Sequence, residues 1–176
     1  GHVVAVEIDE MAAGQAFENV RQSQWRDSIE VVCSDITKYT PDEVKFDIIV
    51  CNPPFFRDSL RSPNAVRSQA RHNDSLSYEK LADTVLRLLA NDGTFNLVLP
   101  FDMADTFTLI AARRGLYMSK RTKVVTRQGV APKRVLLSFV KQQIVYVEED
   151  ELVMFDSNNA ETLDYISLVK DFYLKY

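Results

Sequence analysis

Short apolar runs rich in β-branched residues recur along the chain, and most stop abruptly at an acid, a polar residue or a proline. The run over 3–8 in Val-Val-Ala-Val-Glu-Ile-Asp (3–9), the run over 29–33 and the run over 46–51 are each too short for a helix. They read as strands buried in a parallel sheet. Between the first two, 11–24 has helical character that Gly14 weakens. After Cys33 the chain turns through Ser34, Asp35 and Thr37. The third strand runs straight into Asn52-Pro53-Pro54-Phe55, where two prolines force the chain out of the sheet.

The stretch 57–77 is polar, contains Pro63 and has no sustained period, so it is predicted as a long loop. The spacing of Leu81, Val85, Leu88 and Leu89 predicts an amphipathic helix over 78–90, stopped by Asn91-Asp92-Gly93. A strand over 94–99 closed by Pro100, and a helix over 101–114 ended by Gly115, come next. Two strands, 117–126 and 134–142, are separated by Gly129 and Pro132 and are expected to pair antiparallel. A short strand over 151–155 and a helix over 160–174 complete the chain. Strands alternating with helices and followed by an antiparallel pair predict one α/β domain with a doubly wound, mostly parallel sheet and a reversed edge strand. Such sheets bind ligands at the carboxyl ends of their strands.

At 46% hydrophobic and 26% charged, 176 residues suffice for a domain with a sizeable core. There is no apolar window long enough to span a membrane, and no signal-peptide pattern. Cys33 and Cys51 each end an apolar run without metal-ligand spacing, which predicts small buried thiols in a cytoplasmic protein and no metal. The net charge of −4 conceals an uneven distribution. Residues 57–134 carry fourteen Lys/Arg against seven Asp/Glu, about +7, and the remainder about −11. A basic middle segment can meet phosphate even in an acidic protein.

The candidate chemistry lies at three strand ends. Glu7 can accept hydrogen bonds from the vicinal hydroxyls of a ribose, or it is an ordinary solvated acid. Asp35 can accept from an adenine amino group while Ile36 packs on the purine, or it forms an Asx-turn. Asn52-Pro53-Pro54-Phe55 is more specific. An amino group conjugated with an aromatic ring is a poor nucleophile because its lone pair is delocalised. A side-chain amide oxygen at Asn52 and the backbone carbonyl of Pro53 can accept both N–H hydrogens and favour the tetrahedral nitrogen of the transition state. The Pro53-Pro54 pair fixes that turn, and Phe55 offers a stacking face for a base.

With these motifs the chain resembles the class I methyltransferases, and within them the bacterial tRNA (adenine-N6) methyltransferases that modify an adenine beside the anticodon of a valine tRNA. Cys-Ser-Asp-Ile (33–36), Arg-His-Asn-Asp-Ser-Leu-Ser-Tyr (71–78) and Lys-Asp-Phe-Tyr-Leu-Lys-Tyr (170–176) extend the resemblance over nearly the whole chain. It implies a Rossmann-like sheet and S-adenosyl-L-methionine as cofactor, with the ribose at Glu7 and Ile8, the adenine at Asp35 and Ile36, and Asn52 near both cofactor and target amine. It also implies a first strand and glycine-rich turn ahead of Gly1, so the chain is expected to be N-terminally truncated and to bind the cofactor poorly. Arg57, Arg61, Arg67, Arg71 and His72, with Lys120, Arg121, Lys123, Arg127, Lys133 and Arg134, are the candidate RNA contacts, since guanidinium binds phosphate and stacks on bases. The expected partner is tRNA and the expected assembly a monomer. Guanine-N2 methylation of ribosomal RNA, glutamine-N5 methylation of a protein, and a noncatalytic RNA-binding fragment are the alternatives.

Overall fold

The computed structural model describes residues 1–42, 44–53 and 76–173, which fall into two compact units, Gly1–Val44 and Lys45–Tyr176. Pro54, Phe55, Arg57, Arg61, Arg67, Arg71 and His72, and with them most of the loop predicted over 57–77, lie outside the described residues.

The first unit is a single βαβ turn: β1 (Val3–Glu7), α1 (Glu10–Gln22) and β2 (Ile29–Cys33), the strands parallel from Val3↔Ile29 to Glu7↔Cys33. Asp9 starts the helix by accepting a hydrogen bond from Ala12 N at 2.8 Å, which satisfies a donor that the first turn leaves open. Ala13, Ala16 and Val20, at i, i+3 and i+7, are its least exposed apolar residues. The helix stops two residues earlier than expected because Ser23 Oγ donates to Val20 O at 2.8 Å and accepts from Trp25 N at 3.1 Å. Phe17 and Trp25 remain 51% and 58% exposed.

The second unit holds a five-stranded sheet in the order β3-β4-β6-β5-β7: β3 (Phe46–Cys51), β4 (Leu89–Pro100), β5 (Tyr117–Arg127), β6 (Arg134–Val140) and β7 (Glu148–Phe155). β3 is parallel to β4 and β5 to β7, while β6 runs against both of its neighbours. The reversed strand expected at the edge therefore lies inside. The crossover from β4 lays β5 parallel but one place away, and the hairpin's return strand β6 fills the gap.

Among the described residues of this unit the helices are α2 (Tyr78–Leu88), α3 (Ala104–Ala112), preceded by a 3-10 turn over Phe101–Met103, and α4 (Leu163–Val169). α4 starts later than predicted because Thr162 caps it only after a turn in which Asp156 binds Asn158 N and Ala160 N, and it ends at Val169. Leu81, Ala82 and Val85 of α2 and Ala104, Phe107 and Ala111 of α3 join Phe95, Leu97, Leu99, Val135, Leu137 and Phe139 of the sheet in one core. Phe107 meets Tyr78 and Phe139 edge-on, with both pairs of ring centroids 5.3 Å apart.

α2 ends at Leu88, not at Asn91-Asp92-Gly93 as the turn residues suggested. Leu89 is already extended and pairs with Phe46, and the next β3–β4 pair is Ile48↔Thr94, so residues 90–93 bulge from the ladder. Side chains cover the carbonyls so exposed: Lys45 Nζ donates to Arg87 O at 2.6 Å, Lys141 Nζ to Leu89 O at 2.7 Å and Gln142 Nε2 to Asn91 O at 2.6 Å. Burial, with Lys45 nearby, lowers the Lys141 pKa. The end of α3 does follow its sequence signal. Gly115 takes φ +92° and Leu116 N closes back on Ala111 O at 3.0 Å.

Candidate active site

In the first unit the carboxyl ends of β1 and β2 lie side by side, with Ser34 N bonded to Glu7 O at 2.9 Å. Glu7 Oε1 accepts from Asp9 N at 2.9 Å, and Oε2 has no hydrogen-bond partner among the described residues. Ile8 beside it is 64% exposed. One open carboxylate oxygen next to an exposed aliphatic surface, at the strand ends of a parallel pair, fits a ribose diol and its attached base. Asp35 does form the turn weighed against its ligand role. Its Oδ1 accepts from Thr37 N at 2.9 Å and Thr37 Oγ1 at 2.7 Å, and Lys38 Nζ stands 3.8 Å from Oδ2. That network fixes the direction of a half-buried carboxylate, and half-buried Ile36 follows directly in the chain.

In the second unit β3 delivers Asn52 one residue beyond the ladder pair Cys51↔Leu97. Asn52 is exposed and its amide has no hydrogen-bond partner among the described residues, while Pro53 next to it is buried. An amide carboxamide held at the carboxyl end of a strand, with its oxygen unspent, suits the acceptor role assigned to it. Cys51 just before it packs against the core, and burial pushes its thiol up to about 11. Cys33, expected to be buried, is exposed, because a two-stranded sheet with one helix has little interior to offer.

The late basic residues separate into two groups. Lys120 bonds Glu148 at 2.5 Å, a contact that raises its pKa, and Lys123 lies 3.7 Å from Glu149. Arg121 is only 16% exposed: it bonds Asp105 at 3.0 Å and lies 5.3 Å over the Phe101 ring, with its Nε buried and unbonded. Arg127, Lys133 and Arg134 are exposed at the β5–β6 hairpin end. Arg127 donates to Asn159 Oδ1 at 2.6 Å. The acidic run at the start of β7 is thus a structural element that sequence reading missed. Its four consecutive acids, 148–151, facing a basic strand in the same domain were the available signal.

Residues 1–99 match the family described as the methyltransferase small domain. Over 177 residues the chain is 46% identical to a tRNA1(Val) (adenine(37)-N6)-methyltransferase of Bacteroides fragilis, covering 98% of this chain and 73% of that protein. It is 39% identical over 175 residues to the enzyme of that name from Haemophilus influenzae, covering 99% and 73%. Among solved structures, a predicted O-methyltransferase from Agrobacterium tumefaciens superposes with a TM-score of 0.70 at 19% identity, over 97% of this chain and 76% of that one. A glycopeptide N-methyltransferase complexed with S-adenosyl-L-methionine gives 0.59 at 13% identity, over 80% and 72%. The fold is that of the Rossmann-like S-adenosylmethionine-dependent methyltransferases. By the family match and by these relatives, the chain belongs to the methyltransferase small domain family and, within it, to the tRNA1(Val) (adenine-N6)-methyltransferases.

Proposed function

We propose that the protein transfers a methyl group from S-adenosylmethionine to the N6 amino group of an adenine in the anticodon region of a valine tRNA. The observation that carries this reading is the Asn52 side chain, exposed and unspent at the end of β3 with buried Pro53 next to it. The relatives that bear the tRNA1(Val) (adenine(37)-N6)-methyltransferase name support the choice of base and RNA.

The bound cofactor supplies an electrophilic methyl group on a sulfonium sulfur. Glu7 binds the ribose through its open Oε2, and Ile8 excludes water along one side of the nucleoside. Asp35, oriented by Thr37, receives the adenine edge. Asn52 Oδ1 and the carbonyl of Pro53 accept the two N–H hydrogens of the substrate amine. As the lone pair leaves conjugation, those hydrogens gain positive charge and both bonds strengthen, so the acceptors stabilise the transition state more than the ground state. The methylated nitrogen then releases one proton to water, and no dedicated base is needed. The adenine is turned out of its stack, with Phe55 proposed as the face it lies on. Positioning and acceptance of hydrogen bonds account for the catalysis.

The test is methylation of unmodified tRNA by the full-length enzyme and by Asn52→Ala. Loss of one acceptor predicts a kcat lower by about two to three orders of magnitude with nearly unchanged cofactor affinity. Full activity in the variant, tRNA carrying methylguanine in place of N6-methyladenine, or transfer to a peptide glutamine instead of tRNA would overturn the reading.

A further inference from the structure

The same sheet holds two sets of cations in very different circumstances. Along the middle of β5, Lys120 and Lys123 face the acids of β7 in a fixed parallel register, Lys120↔Glu148 through Lys123↔Glu151. Arg121 is folded down onto Phe101 and Asp105. To meet phosphate these groups would have to give up carboxylates, whereas Arg127 bonds the neutral amide of Asn159 at 2.6 Å. At the hairpin end, Arg127, Lys133 and Arg134 are exposed, and neither Arg127 nor Lys133 has a carboxylate within 4.0 Å among the described residues. Their backbone is well held. Val130 N bonds Arg127 O at 3.1 Å across a turn in which Gly129 adopts φ +79°, and Phe101 N bonds Lys133 O at 3.1 Å.

The ladder gives their distance from the chemistry. Cys51 is opposite Leu97 of β4, and Arg134 is opposite Pro100 of the same strand. Arg134 therefore lies two strand spacings from Asn52, about 10 Å sideways and about two residues farther toward the carboxyl edge. A nucleic acid that delivers a base to Asn52 from the β6 side would pass this rim.

Resting on the tRNA reading above, we propose that the hairpin end formed by Arg127, Lys133 and Arg134 is the phosphate-contacting surface of this unit, and that Lys120, Arg121 and Lys123 take no part in RNA binding. The first group clamps backbone phosphates flanking the target base. The second group ties β7 and the Phe101 turn to the sheet. Phosphate contact releases condensed counterions, so it leaves a signature in salt dependence that a structural role does not.

The experiment compares Lys133→Gln/Arg134→Gln with Lys120→Gln/Lys123→Gln in the full-length enzyme. It measures KM for unmodified tRNA at several salt concentrations, salt-dependent RNA binding by filter retention, the melting temperature, and cofactor affinity. The hairpin pair is expected to raise KM about tenfold and to flatten the slope of log K against log salt by about 1.5 to 2, with melting and cofactor affinity unchanged. The β5 pair is expected to leave KM and slope within twofold while lowering the melting temperature. Should the hairpin pair not fold, exposed Lys133→Gln alone is expected to raise KM about threefold and flatten the slope by about 0.7 to 0.9. An unchanged slope in the hairpin variants, or a flattened one in the β5 pair, overturns the proposal. If wild type binds RNA with the expected slope differences but does not methylate tRNA adenine, the substrate reading fails and the surface assignment stands.

Discussion

The two units are built to opposite specifications. Among the described residues of Gly1–Val44, Ala13 alone is a buried apolar side chain, whereas Lys45–Tyr176 encloses a cluster of fourteen buried residues around Phe95, Phe107 and Phe139. The first unit is held by a backbone ladder and local caps, the second by packed side chains. Yet both present their candidate chemistry in the same way, at the carboxyl end of a parallel strand, with Glu7 in one and Asn52 in the other. Ligand geometry needs only a strand end in a defined place. Stability needs an interior, and here the interior belongs almost entirely to the second unit.

The largest effect expected from this contrast is on packing. Phe107→Ala removes a ring that packs with three others and should cost about 3–5 kcal/mol in denaturant unfolding, while Phe17→Ala, half exposed on α1, should cost less than about 1. Equal costs would mean that the first unit has an interior after all. Next comes Gly93→Ala in the β4 bulge. An added Cβ would stand 2.9 Å from both Phe46 O and Asp47 O, backbone atoms that cannot step aside, and about 1–3 kcal/mol should be lost. A neutral result would show that the bulge repacks.

Smaller, but diagnostic for the first unit, is Asp9→Ala. Without side-chain packing to compensate, removal of the cap should cost about 1 kcal/mol and loosen amide-exchange protection in α1 before that in α2. The mildest difference concerns the thiols and leaves stability untouched. With a pKa of about 11, Cys51 is about one part in a thousand thiolate at pH 8, so alkylation should mark exposed Cys33 first. Raising the pH toward 11 should bring Cys51 into reach, and faster labelling of Cys51 at pH 8 would contradict its burial.

Most of the element order was legible because apolar runs of strand length cannot hide in water. β1, β2 and β3 match their predicted runs to within a residue. The Gly115 helix stop and the antiparallel hairpin also followed their local signals. The Asn91-Asp92-Gly93 stop did not, because pairing of Leu89 with Phe46 drew the chain into a strand before the turn residues were reached. Charge was the least legible property. A basic segment counted along the chain looked uniform, but the adjacent cations Lys120 and Arg121 on β5 differ, one facing Glu148 of β7 and the other Asp105 of α3.

By itself the sequence determined where the first three strands run and which residues stand at their carboxyl tips, since hydrophobic periodicity and proline act within a few residues of the chain. Only the tertiary structure decided that Lys120 belongs to Glu148 and Arg121 to Phe101 and Asp105, and that Lys133 stays open. Those outcomes depend on strand order and register between segments 16 to 28 residues apart in the chain, where a shift of one residue would turn every side chain to the other face of the sheet.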